Sequence, residues 1–326
     1  MSEAALTSEQ ILITAQKERR KGLFWDAFRR MRRNRAAIVS LVALVVLGLA
    51  AIFADVIVPY SPSEQFFETA SASGLSPLDA RATGKYEPPS AEHVFGTDHL
   101  ARDIFSRTVV GLRISLSAAL FGIVVVTVIG VLVGTLAATG PRFMDDLLMR
   151  GTDVAFAFPD LLLMILLRSA FGTTIFGRDS IAGIDSTILL LFLAISLTAW
   201  PTIARLVRGQ LLSIREQEYA TAAIAVGASP ARVAFRHLLP NALTPVIVEV
   251  TFLVPRLIFA EAALSFIGIG ISPPTPSLGI LLADHFRFVR ISWTALAIPC
   301  AVLATLYLSF NFFGDGLRDA LDPRTR

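Results

Sequence analysis

One cysteine and four histidines leave this 326-residue chain little with which to close a disulfide or hold a metal. Cys300 excludes an intrachain disulfide, and it lies in an apolar run that suits a small packing residue. His93, His99, His237 and His285 fall in separate segments and form no H-E-x-x-H pair, so no metal site is expected. No G-x-x-x-x-G-K-[ST] loop is present, and Gly84-Lys85 lacks the upstream glycine. Hydrolysis of ATP by this chain is therefore not expected. A G-x-S-x-G elbow is missing too, which leaves enzymatic chemistry without a visible nucleophile. Charge is the scarcest property of all. Only 17% of residues are charged against 54% hydrophobic, and the mean hydropathy is +0.65. Soluble domains carry about 25% charged residues, so an integral membrane protein is expected.

The charges that remain are placed where apolar runs end. Arg29, Arg30, Arg32, Arg33 and Arg35 precede an apolar run from Ala36 to about Val58, which reads as a signal anchor with a cytoplasmic N-terminus. That run exceeds the 7 to 15 residues typical of a cleaved signal. Residues 1–35 form a basic leader. Within it Leu23, Phe24, Ala27, Phe28 and Met31 share one helical face suited to the lipid interface. Residues 59–105 are acidic and Pro- and Ser-containing, which predicts an extracytoplasmic loop, with disorder the default through Ala70–Ser90.

Five more apolar segments follow, near residues 113–138, 154–171, 187–204, 242–269 and 293–313. Asp153, Pro159, Asp160 and Arg168 make the third span the weakest. Six spans predict an all-α polytopic protein with both termini in the cytoplasm, the core at 106–313 and a tail at 314–326. The inner loops hold Arg142, Arg150, Arg205, Arg208, Arg215, Arg232 and Arg236, in keeping with the positive-inside rule. This is a topology signal and not a nucleic-acid footprint. No internal repeat or low-complexity stretch is visible.

Residues 206–240 are the polar island in this apolar chain. Leu206–Ala225 is helix-compatible throughout, Gly227 permits a left-handed turn, and Ser229-Pro230 supplies an N-cap with proline at the first helical position. A second short helix is expected from Pro230 to about Leu239, separated by Pro240 from the next span. Ala220, Ala222, Ala223 and Ala225 keep the first helix thin, and Arg232 and Arg236 lie one turn apart on the second.

The island resembles the EAA loop of bacterial ABC importer permeases. Ala222, Ala223, Gly227, Leu239 and Pro240 match that pattern, with Thr221 in place of glutamate and His237 in place of isoleucine. Both replacements, with Tyr219, Gly227-Ala228-Ser229 and Arg236–Asn241, are similar to the C-type subunits of dipeptide, oligopeptide and nickel importers. Phe95–Asp98, Arg102-Asp103 and Ser106-Arg107 resemble a second motif of that family, in which Ala101 takes a glycine position. Trp200-Pro201, Ala204-Arg205, Arg208–Gln210, Glu261–Gly268, Pro273–Ser277 and Gly314–Asp319 extend the likeness. The resemblance implies a six-helix type I (MetI-like) permease in the inner membrane, surrounded by lipid. Its partners would be a homologous B-type permease subunit, an extracytoplasmic solute-binding protein, and two cytoplasmic ATPases that bind ATP and Mg. No cofactor is implied for this chain.

The residues expected to couple to an ATPase are Ala222, Ala223, Gly227, Ser229, Pro230, Arg232, Arg236, His237 and Pro240. Glu249, Arg256 and Glu261 are separate candidates for the translocation path, because ionisable groups at membrane depth mark functional sites. Glu249 and Arg256 lie seven residues apart on one helical face, whereas Glu261 is displaced; a structural pair is the competing reading. Peptides are the expected cargo, with nickel or another small solute as the alternative. An ion-coupled secondary transporter and a non-transporting scaffold are the rival classes, told apart by whether uptake needs ATPase subunits.

Overall fold

The apolar runs form helices because backbone polar groups in lipid must be satisfied within their own segment. The computed structural model describes residues 29, 31–32, 34–67, 84–157, 159–171, 180–181, 184–225, 232–271 and 273–321. In chain order the helices are α1 (Arg35–Ile52), α2 (Ala54–Ile57), α3 (Ile104–Thr139), α4 (Arg142–Ala157), α5 (Asp160–Phe171), α6 (Ser186–Arg215), α7 (Glu218–Ala225), α8 (Leu239–Phe266), α9 (Leu278–Phe286) and α10 (Trp293–Leu321). A two-residue antiparallel pairing of β1 (Ser180–Ile181) with β2 (Ile184–Asp185) precedes α6. Among the described residues, α1, α3, α8 and α10 are long and apolar enough to cross a membrane.

The expected third span falls on α4 and α5, two helices interrupted at Pro159, and the fourth falls on α6. Pro159 has no N–H to donate, so a regular helical ladder cannot run through it unbroken. Leu206–Ala225 is not one helix as expected. It breaks at Glu216 and Gln217 between α6 and α7, and the Ala220 and Thr221 amides donate to the Gln217 carbonyl.

The axis of the fold is the packing of α3 along α6, with α8 against both and α10 against α1. Small residues make the closest contact. A Cβ on Gly134 would lie 2.5 Å from the Ala204 carbonyl oxygen and 2.8 Å from Val207 Cβ, and one on Gly130 would lie 2.6 Å from Ile203 Cβ. Glycines four apart therefore let two backbones meet, which substitutes for the hydrophobic drive that lipid removes. Ile203, Val207 and Leu211 are buried along this seam.

A second brace ties residues 84–107 to the start of α3. Asp103 caps α3, accepting from the Ser106 amide at 2.7 Å, and its other oxygen lies 3.0 Å from His93 Nδ1. Asp98 accepts from the Leu100 amide at 2.8 Å, the Arg102 amide at 3.0 Å and Arg102 Nε at 2.8 Å. Arg107, 1% exposed, donates to the Pro62 carbonyl at 3.0 Å. Both arginines face Asp284 of α9 at 3.7 and 3.8 Å. Burial alone would raise the Asp98 pKa, but hydrogen bonds and charge from Arg102, with Arg107 adding to them, hold it below the usual carboxylate range. Gly84–Ser90, expected to be disordered, are ordered by this brace: the Gly84 carbonyl accepts from Thr97 Oγ1, and the Glu87 carbonyl from the Thr97 amide. Residues 68–83 lie outside the described residues. The tight turn expected of a glycine at position 101 forms with alanine. Ala101 takes φ +56° and is fully buried, its carbonyl accepting from the Phe66 amide.

Two outcomes follow from this packing. Replacing Gly134 by Leu drives a side chain into the α6 backbone, which cannot retreat, and should destabilise the protein by about 3 kcal/mol or more. Exposed Leu132→Ala should stay within about 0.5 kcal/mol. Thermal melts in detergent check both, and equal loss in the two variants would refute the seam. His285, 2% exposed beside Asp98, His99, Arg107 and Asp284, is pushed by burial down to about 4. The unfolded chain takes up this proton first, near pH 6.5, so stability is full above that pH and declines as pH falls towards 4. Melts between about pH 7 and 4.5 should lose roughly 2–3 kcal/mol, and His285→Gln should flatten the slope.

Candidate functional site

The polar island is anchored on one side and exposed on the other. In α7, Ala220 is fully buried while Tyr219, Thr221 and Ala222 are exposed and Ala223 is half-buried. Gly227, Ser229 and Pro230 lie outside the described residues. Beyond them Arg232 leads into a π-helical turn, Val233–Leu238, which buries Val233, Ala234 and Leu238 and exposes Arg232 and Arg236. His237 belongs to this turn by its backbone. The expected separation at Pro240 is not found. The turn runs straight into α8, with Pro240 in its first turn. Proline is tolerated there because its missing N–H lies where the regular ladder is already replaced by the wider π turn. Asn241 Nδ2 donates to Tyr219 Oη at 3.0 Å, tying α7 to the start of α8.

Basic residues beside the island act as braces. Arg208 makes a bidentate pair with Asp145 at 2.5 and 2.6 Å, and these bonds hold the Asp145 pKa low. Arg205 pairs with Asp153 at 2.7 Å and lies 4.3 Å over the Phe156 ring. Together they fasten α4 to α6, a role that topology counting does not reveal.

The three path candidates are not brought together. Arg256 and Glu249 meet loosely, Nη1 to Oε1 at 3.8 Å, on the side of α8 that faces the C-terminal end of α10. They line a groove of about 600 Å³ with Leu206, Phe252, Asp315 and Arg318. Glu261 is fully buried elsewhere. Its Oε2 accepts from Ser115 of α3 at 2.8 Å and its Oε1 from Ser265 at 2.8 Å, with Ser277 also hydrogen-bonded to the carboxyl group. Ser115 Oγ in turn accepts from the Leu278 amide at 3.2 Å, and Ser277 caps α9. Sequence reasoning missed Ser115, Ser277 and Asp284. Serine before the apolar run Leu278–Leu282 is a legible N-cap signal, but pairing over 146 residues has no local mark.

Removing the Glu261 carboxyl strands several buried hydroxyls and opens a cavity. Glu261→Ala should lose about 2–4 kcal/mol of thermal stability, while Glu261→Gln should stay within about 1.5 kcal/mol. A wild-type melt for the alanine variant would remove Glu261 from this role.

Comparison with known proteins bears on what these features belong to. Residues 130–326 match the family described as binding-protein-dependent transport system inner membrane component, and residues 22–89 match the N-terminal TM domain of oligopeptide transport permease C. The oligopeptide transport system permease protein OppC of Bacillus subtilis (strain 168) is 37% identical over 314 residues, covering 96% of this chain and 94% of that protein. The dipeptide transport system permease protein DppC of Alkalihalophilus pseudofirmus is 36% identical over 302 residues, 92% of this chain and 90% of that one. Among solved structures, a chain of the methionine ABC transporter MetNI in an inward-facing form matches with TM-score 0.53 at 21% identity, over 67% of this chain and 96% of that chain. That likeness shows the fold alone. With a family match over the whole C-terminal part and relatives spanning nearly the entire chain, the protein belongs to the binding-protein-dependent transport system inner membrane components, the membrane permeases of ABC importers.

Proposed function

We propose that this chain is one of two homologous permease subunits of an ATP-driven importer that carries di- or oligopeptides delivered by a solute-binding protein. The named relatives carry peptides, and they span nearly the whole chain. In this reading six spans place both termini in the cytoplasm, residues 59–105 outside, and residues 206–240 inside against an ATPase. A B-type permease completes the membrane pair. ATP and Mg are bound by the ATPases.

The observation that carries the mechanism is the unbroken helical path from Arg232 through the π-helical turn to Phe266. Arg232 and Arg236 are exposed at its start, while Val233, Ala234 and Leu238 hold the same turn to the protein. An ATPase that grips the exposed side on closing moves α8 directly, since no loop absorbs the displacement. The Tyr219–Asn241 hydrogen bond makes α7 follow. Alternating access then amounts to two arrangements of α6 and α8 biased by ATP. Ala222 and Ala223 allow close approach, and Gly227, Ser229, Pro230 and His237 complete the coupling segment.

Co-reconstitution with the two ATPases, the B-type subunit and the binding protein should give ATP-dependent uptake of labelled trialanine. Arg232→Glu with Arg236→Glu should lower uptake at least tenfold and abolish stimulation of ATP hydrolysis by loaded binding protein, while leaving membrane insertion unchanged. Full uptake by that double variant would sink the coupling assignment. Uptake driven by an ion gradient without ATPases would sink the importer reading, and labelled nickel accumulating in place of trialanine would change the cargo.

A further inference from the structure

The groove between α6, α8 and α10 displays charge that the fold does not consume. Its lining includes Glu249 and Arg256 from α8 and Asp315 and Arg318 from α10, two acids and two bases that sum to zero. Among the described residues the only ion pair they form is the 3.8 Å contact of Arg256 with Glu249. A charge-assisted hydrogen bond closes to about 2.8 Å, so both groups keep capacity for another partner. Glu249 and Arg256 belong to a membrane-spanning segment, and charges there face the protein interior or a water-filled cavity.

Depth and size narrow the occupant. Leu239–Phe266 spans about 42 Å at 1.5 Å per residue, and Glu249 and Arg256 flank its midpoint within about 5 Å on either side. The groove runs from that level to Leu206, Asp315 and Arg318, in segments placed in the cytoplasm above, so it opens inward. A volume of about 600 Å³ falls in the small-molecule class of roughly 300–1,000 Å³. A lone cation would meet two arginines and a lone anion two carboxylates. A zwitterion satisfies both signs. Phe252 and Leu206 supply an apolar wall that imposes no hydrogen-bond pattern on whatever side chains accompany the charged groups.

We propose that this groove is a subsite of the permease that holds the free ammonium and carboxylate termini of a short peptide: the loose Glu249–Arg256 contact opens across the roughly 10 Å that seven residues of helix set between their backbones, leaving Glu249 to face the ammonium and Arg256 the carboxylate. The inference rests on the importer reading above and adds the means by which a carrier of varied peptides recognises what they share. Asp315 and Arg318 offer a second pair of charges towards the end of α10, so the peptide can pass along the groove without either terminus losing a counter-charge.

The test uses the assembled transporter in nanodiscs without binding protein, with equilibrium dialysis of labelled trialanine and its N-acetylated and C-amidated forms. Wild type should bind trialanine at least tenfold tighter than either capped form. Arg256→Gln should weaken trialanine at least tenfold and erase discrimination against the amide, Glu249→Gln should do the same for the acetylated form, and Arg256→Lys should retain binding within about threefold. Equal binding of free and capped peptides, or variants that bind as wild type does, would overturn the subsite. Loss of trialanine binding in phosphatidylethanolamine nanodiscs but not in phosphatidylglycerol ones would reassign the groove to a lipid headgroup. A wild-type complex that fails ATP-driven uptake defeats the importer reading instead, which separates the two failures.

Discussion

A carboxylate enclosed by protein and lipid must collect its hydrogen bonds from whatever elements can reach it, and Glu261 does so from three. Ser115 brings α3, Ser265 lies on its own helix, and Ser277 brings the cap of α9. The Leu278 amide closes the circuit through Ser115. An unpaired polar group at this depth costs several kcal/mol, so no single member can leave without stranding the others. The position of α9 beside α3 and α8 depends on this circuit, and so does the reach of Asp284 on α9 to Arg102 and Arg107.

Lipid offers little drive for helices to associate, so the rest of the fold relies on contact and charge at defined points. Gly130 and Gly134 allow α3 and α6 to touch. Asp145–Arg208 and Asp153–Arg205 then fasten α4 to α6 near the polar island. These braces leave Arg232 and Arg236 exposed on the π-helical turn that leads into α8, and a groove along the middle of α8 itself.

Much of the candidate site was legible locally. Tyr219, Ala222, Ala223, Arg232 and Arg236 stand out as polar or small residues amid apolar runs, and spacing alone puts the two arginines one turn apart. The expected stop at Pro240 was misread because proline's local preference competes with the helix around it, and a π turn upstream removes the conflict. Spacing sets Glu249 and Arg256 on one helical face and Glu261 off it, but does not say what either face meets. Only packing separates the pair that lines a groove from the residue that is sealed in the interior.

The sequence by itself determined that this is a helical membrane protein with a polar island, because hydropathy and charge placement act through the bilayer without regard to neighbours. It also determined the caps of α1, α3 and α9, since Asn34, Asp103 and Ser277 each reach amides only three residues away. Tertiary structure alone decided that Arg107 answers to Asp284, that Glu261 answers to Ser115, and that Ala101 adopts a left-handed turn. Those outcomes depend on which distant groups share a low-dielectric space, and no periodicity along the chain encodes that meeting.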